Sequence, residues 1–120
     1  MLAWHATIAS SGRGNAFPDD GVRVEVVRRL VAVLGPTVAL FCVVDDHLHA
    51  VVVGEGPAVR RRLGHLLLAL RPVVRSGGLE PARVRPVRER RHLVTLVDYL
   101  LRQPEKHGLG ARTRWAGSCL

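Results

Sequence analysis

Two histidines, His47 and His49, lie two residues apart in the apolar run Val43-Val44-Asp45-Asp46-His47-Leu48-His49-Ala50-Val51-Val52-Val53. Side chains alternate between the faces of a strand, so both imidazoles would project from one face. Neutral imidazole is a common metal ligand, and two on one rigid face can share an ion. Later in the chain His92, Tyr99 and Gln103 follow at spacings of seven and four. At about 3.6 residues per turn they line one flank of a helix, with Tyr99 and Gln103 one turn apart. A phenol, with a pKa of about 10, is a weak nucleophile at neutral pH. A phosphate held on a metal is more electrophilic, because the metal offsets charge developing on its oxygens. Docking that helix beside the histidine strand would create a phosphoryl-transfer site, with Tyr99 as nucleophile and Gln103 as a third ligand, an oxygen. Plainer roles stand beside these: a structural histidine pair, a tyrosine lifting its hydroxyl from the core edge, a polar helix end and a solvated His92.

The elements that must position these residues follow from periodicity. Residues 2–10 alternate loosely and read as a first strand, with Trp4 and His5 near its start. Ser11-Gly12-Arg13-Gly14-Asn15 is a loop, and Pro18-Asp19-Asp20-Gly21 a turn in which either aspartate can cap a helix. Val22, Val26, Val27, Leu30 and Leu34 form a helical stripe, with Arg23, Glu25, Arg28 and Arg29 mostly outside it. Gly35-Pro36 ends that helix. Residues 37–44 read as a second strand, and a tight turn at Asp45-Asp46 returns residues 47–53 antiparallel as a third. Pro57 opens a second helix with stripe Leu63, Leu66, Leu67 and Leu70, and Pro72 kinks or ends it. Arg60, Arg61, Arg62, Arg71 and Arg75 give it a basic side. Ser76-Gly77-Gly78 is a loop. Residues 82–87 read as an edge strand, since Pro86 cannot donate to a ladder and Arg83 and Arg85 suit an edge. A last helix spans about residues 91–103, with stripe Leu93, Leu96, Val97, Leu100 and Leu101, and Pro104 closes it. The tail, residues 108–120, shows no periodicity. This order of elements is that of an α+β sandwich, helices packed on an antiparallel sheet.

Composition bounds the partners. The chain has 120 residues, 48% of them hydrophobic, which suits one globular domain over residues 1–120 with its own core. Its net charge of +8, carried mostly by arginine, favours a polyanion, most simply nucleic acid. Arg13, Arg60, Arg61, Arg83, Arg85, Arg102 and Lys106 are the candidate nucleic-acid contacts. Cys42 and Cys119 lack metal-type spacing, and Cys42 sits in an apolar run as a packed thiol. No signal peptide or membrane-length run is evident, so a reducing cytoplasm is the expected compartment and no membrane partner is expected. His5, His65 and His107 have no chemical partners in sequence and read as structural or surface residues.

At these residues the chain resembles the single-tyrosine HUH transposases. Asp46-His47-Leu48-His49 followed by Ala50-Val51-Val52-Val53 resembles their Asn-His-hydrophobic-His strand. Tyr99-Leu100-Leu101-Arg102-Gln103-Pro104-Glu105-Lys106-His107-Gly108-Leu109 looks like their tyrosine helix. In REP-associated members that segment runs Tyr-Ile-x-x-Asn-Pro-x-x-x-Gly-Leu; in insertion-sequence members Gln follows the tyrosine by four. Trp115-Ala116-Gly117-Ser118 resembles the later Trp-Ser-Ser segment, and Trp4-His5-Ala6-Thr7 the aromatic-His start of the first strand. The resemblance runs in order along nearly the whole chain. It implies a ferredoxin-like α+β fold and cutting of single-stranded DNA, often at hairpins. His47, His49 and Gln103 would bind Mg²⁺ or Mn²⁺, and Tyr99 would attack the phosphate, leaving a 5′-phosphotyrosine and a free 3′-hydroxyl. It also implies a homodimer, in which the tyrosine helix can serve the partner's histidines. Two departures stand out. Asp46 replaces the usual Asn, and aromatic residues are only 4%, so base-stacking platforms are sparse.

Three other readings compete. A domesticated relative would bind hairpin-forming single strands without cutting them, its arginines giving salt-dependent phosphate binding. A histidine-triad nucleotide hydrolase would need another histidine where Val51 stands. A structural partner in a larger complex has no positive support in the chain.

Overall fold

The computed structural model describes residues 2–12, 14–74, 77–106 and 116–118. The elements run β1 (Ala3–Ala9), α1 (Asp20–Leu34), a 3₁₀ turn (Gly35–Thr37), β2 (Val38–Val43), β3 (His47–Val53), α2 (Gly56–Leu70), β4 (Arg83–Val87), α3 (Arg90–Lys106) and β5 (Ala116–Ser118). Strand order is β4-β1-β3-β2-β5, with every pairing antiparallel. The first six regular elements thus form a β-α-β-β-α-β unit of order 4-1-3-2, the ferredoxin-like arrangement, and α3 and β5 are added to it.

Local signals explain each boundary. Asp19, in extended conformation, accepts from Val22 N at 2.8 Å and caps α1. Gly35 ends the helix with φ of 54°, its N–H reaching Val31 O. Pro57 sits in the first turn of α2. Val44 N bonds to His47 O across the Asp45-Asp46 turn, which turns β2 back into β3. The loop after β1 is tied to that turn. Ser10 N bonds to Asp46 O, Phe17 N to Asp45 O, and Phe17 is fully buried. Arg23, expected outside the α1 stripe, is buried instead. Its guanidinium donates to Phe17 O at 2.7 Å and pairs with Asp20. The turn bearing Asp46 and His47 is therefore anchored from two sides.

β2 and β3 are buried on both faces along most of their length, which is why they read as near-continuous apolar runs. Ala6, Ile8, Val38, Val43, Leu48, Ala50 and Val52 face α1 and α2 and pack on Val26, Leu30, Leu63, Leu66 and Leu70. On the other face Ala39, Leu40, Cys42, Val44 and Val51 pack under Leu96 and Leu100 of α3. A bulge between Val38 and Leu40 makes this possible. It resets the alternation so that Val38 and Val43 face one core while Leu40 and Cys42 face the other.

Two features of the last third of the chain differ from what its sequence predicts. Pro104 does not close α3, which continues to Lys106. Proline deprives the ladder of one N–H, but its own φ is helical, so the chain can pass through it. The tail also contributes a strand, β5, which pairs with the edge of β2. Ala116-Gly117-Ser118 carries no strand signal of its own; the open edge of β2 supplies the hydrogen-bonding groups. Residues 107–115, with His107 and Trp115, and Cys119 lie outside the described residues. Among the described residues, no helix is long and apolar enough to cross a membrane.

Candidate phosphoryl-transfer site

The face of the sheet that carries α3 is only partly covered by it. Two cross-strand rows run from polar side chains on β4 and β1 to apolar ones under Leu96 and Leu100. One row runs Arg83, Thr7, His49, Cys42 across β4, β1, β3 and β2; the next runs Arg85, His5, Val51, Leu40. His47, opposite Ala9, extends the polar patch toward the Asp45-Asp46 turn. The alternation expected from sequence therefore holds: His47 and His49 share one face, their rings edge to face at 4.6 Å between centroids.

Each histidine has a partner on its Nδ1. His47 Nδ1 is hydrogen-bonded to the Asp46 carboxylate. His49 is buried, and its Nδ1 lies 3.0 Å from His5 Nε2 and 3.3 Å from Thr7 Oγ1. The His5 and His49 ring centroids are 5.2 Å apart with an interplanar angle of 24°. His5 is held below the ordinary histidine range, first by burial and then by the charges of His92 and Arg85. His5 was expected to be structural, and it is instead part of this cluster. The pairing register alone brings it there, since His5 lies opposite Val51, two residues from His49. Same-face parity and its place in Trp4-His5-Ala6-Thr7 were the only signals in the sequence.

Helix α3 reaches this patch. The Tyr99 ring stands edge to face with His49 at 5.7 Å between centroids, in the same chain. Leu96 and Leu100, buried on either side of it in sequence, press α3 onto the sheet, while Tyr99 itself is 45% exposed. His5, Thr7, His49, Arg83, Arg85 and Tyr99 line one cleft of about 240 Å³. A second hollow of about 350 Å³ lies across His49, lined by Thr7, Ser10, Gly12, Asn15, Asp46 and His47 among others. His49 and Thr7 line both clefts and so sit on the divide between them.

The remaining candidates separate. Arg83 and Arg85 share the site. Arg60 and Arg61 are exposed on α2, which packs on the opposite sheet face, so they do not meet the histidines. Arg102 is exposed on α3 and pairs with Asp98 at 3.3 Å. Gln103 follows Tyr99 by one turn of α3; its side chain and that of Lys106 lie outside the described residues, as does Arg13.

His47 and His49 offer two imidazole nitrogens, donors of a kind that divalent cations accept. His47 has a carboxylate on Nδ1, the arrangement that orients metal-bound imidazoles, so coordination there would run through Nε2. Among the described residues no three His, Cys, Asp or Glu side chains form a metal-holding group. An oxygen ligand from Gln103 would be of another type.

A solved structure of a REP-associated tyrosine transposase bound to a REP hairpin is similar to this chain. The match has a TM-score of 0.60 and 17% identity, and covers 90% of this chain and 69% of that one. At that identity the likeness is one of fold, and it agrees with the ferredoxin-like sheet described above. No protein-family model matches the chain, and no curated protein does.

Proposed function

We propose that this protein is a metal-dependent single-stranded DNA endonuclease and strand transferase of the transposase type. The observation that carries the reading is the Tyr99 ring beside His49 in one cleft with Arg83 and Arg85. Tyr99, His49, Arg83 and Arg85 converge there from α3, β3 and β4, and the His47 ring stands beside that of His49. The net charge of +8 and the similarity in fold to a hairpin-bound transposase support the choice of DNA as substrate.

In this reading Arg83 and Arg85 hold backbone phosphates of a single strand, and guanidinium suits that task through paired N–H donors. His47 and His49, with Gln103, would hold Mg²⁺ or Mn²⁺. That ion would polarise the scissile phosphate and offset charge on its oxygens. Asp46 keeps His47 oriented. Tyr99 Oη attacks phosphorus and loses its proton to solvent. The bond to the 3′ oxygen breaks, that oxygen takes up a proton, and the 5′ phosphate stays on Tyr99. Attack by a 3′-hydroxyl reverses these steps and rejoins the strand. Tyr99 stands beside its own chain's His49, so in this reading nucleophile and histidines come from one subunit.

The test uses hairpin oligonucleotides labelled on the 3′ side of the cut, incubated with Mn²⁺. A denaturant-resistant labelled adduct is expected, absent with chelator and absent in Tyr99→Phe. Tight hairpin binding with no adduct across a varied substrate set would instead establish a binding protein that does not cut.

A further inference from the structure

His5 has no role in the chemistry above, yet its Nε2 lies 3.0 Å from His49 Nδ1. We infer that His5 is a positioning residue that accepts the Nδ1 proton of His49, and so fixes the tautomer in which Nε2 carries the lone pair. A hydrogen bond between two neutral imidazoles needs one N–H and one lone pair. His5 Nε2 at 3.0 Å and Thr7 Oγ1 at 3.3 Å both face His49 Nδ1, and both can accept. His49 is only 5% exposed, so bulk water is poorly placed to set its tautomer and the protein must do so. Asp46 does the equivalent for His47, because a carboxylate accepts from Nδ1–H. The two histidines are thereby matched, each with its proton on Nδ1 and its lone pair on Nε2. The supporting groups come from different places: the adjacent turn for His47, the neighbouring strand β1 for His49. With centroids 5.2 Å apart and planes 24° apart, the two rings lie nearly edge to edge, as an in-plane hydrogen bond between them requires.

The value of this arrangement rests on the metal reading above, but the tautomer does not, and the two can be tested apart. Two-bond ¹H–¹⁵N spectra of the metal-free protein should show His49 as the Nδ1–H form. In His5→Leu combined with Thr7→Val it should move toward the Nε2–H form that a free neutral imidazole prefers. His5→Gln, whose amide oxygen can accept, should keep the wild-type tautomer. Amide dispersion in the same samples reports folding. In calorimetric titrations with Mn²⁺ alone, His5→Leu should bind about 10- to 100-fold more weakly, the usual effect of losing a partner behind a ligand, and His5→Gln should recover most of that loss. Wild-type His49 in the Nε2–H form overturns the inference, whatever the variants do. So does a folded double variant with an unchanged tautomer, or His5→Leu binding Mn²⁺ like the wild type. Failure of the wild type to bind Mn²⁺ would remove the metal reading while leaving the tautomer result to stand.

Discussion

Leu100→Ala should release α3 from the sheet without unfolding the rest of the protein. Leu100 is fully buried, and with Leu96 it forms the apolar anchor of α3 over Leu40, Cys42 and Val51. Burying two leucines contributes roughly 3–6 kcal/mol, and truncating one in a packed core costs about 2–5 kcal/mol. At about 1.4 kcal/mol per tenfold, undocked α3 becomes some 30-fold to several thousand-fold more populated. The core on the opposite face shares none of these residues, so α1 and α2 should hold. Hydrogen exchange followed by mass spectrometry reads this directly. Amides of α3 should lose protection while those around Val26 and Leu30 in α1 keep theirs. Tyr99 travels with α3, so adduct formation should fall in proportion to the docked fraction. Unchanged α3 exchange would refute the anchoring argument. Loss of protection in α1 and α3 together would show that the two faces are one cooperative unit.

Other outcomes follow from single features. Arg83→Ala and Arg85→Ala should each weaken hairpin binding and lower the salt slope by about 0.7–0.9, measured by anisotropy over a salt series; Arg60→Ala, on the far face, should change it far less. Asp19→Ala removes the α1 cap and should lower stability by about 1 kcal/mol, seen in urea melts with unchanged m. Burial pushes the Cys42 thiol up to about 12, so in a Cys119→Ser background it should resist alkylation at pH 8, and Leu100→Ala should expose it. Because the folded form holds that thiol protonated, its contribution is complete below pH 9 and is lost as pH rises toward 12. Denaturant melts above pH 9 should show that decline, and Cys42→Ala should flatten it.

The part of the site legible in sequence is the part fixed by local periodicity. Alternation placed His47 and His49 on one face, and helical spacing put Tyr99 on the flank of the stripe that docks. The edge position of β4 was also readable, because Pro86 and the arginines mark an edge. What sequence could not supply was register. His5 reaches His49 only because β1 pairs with β3 so that Thr7 lies opposite His49, and no local pattern encodes that offset. Arg23 was misplaced for a related reason: its partner is the Phe17 carbonyl of a loop folded back on α1. β5 was invisible because its partner strand, not its own residues, makes it a strand.

The central claim is that Tyr99 is the nucleophile of a metal-dependent DNA-cutting site, and peptide mapping of the covalent product tests it most directly. Protease digestion of the Mn²⁺-dependent adduct should yield the peptide containing Tyr99 carrying a 5′-phosphate nucleotide, with no such mass from His47→Ala. An adduct mapped to another residue, or one formed equally well by His47→Ala, would contradict it.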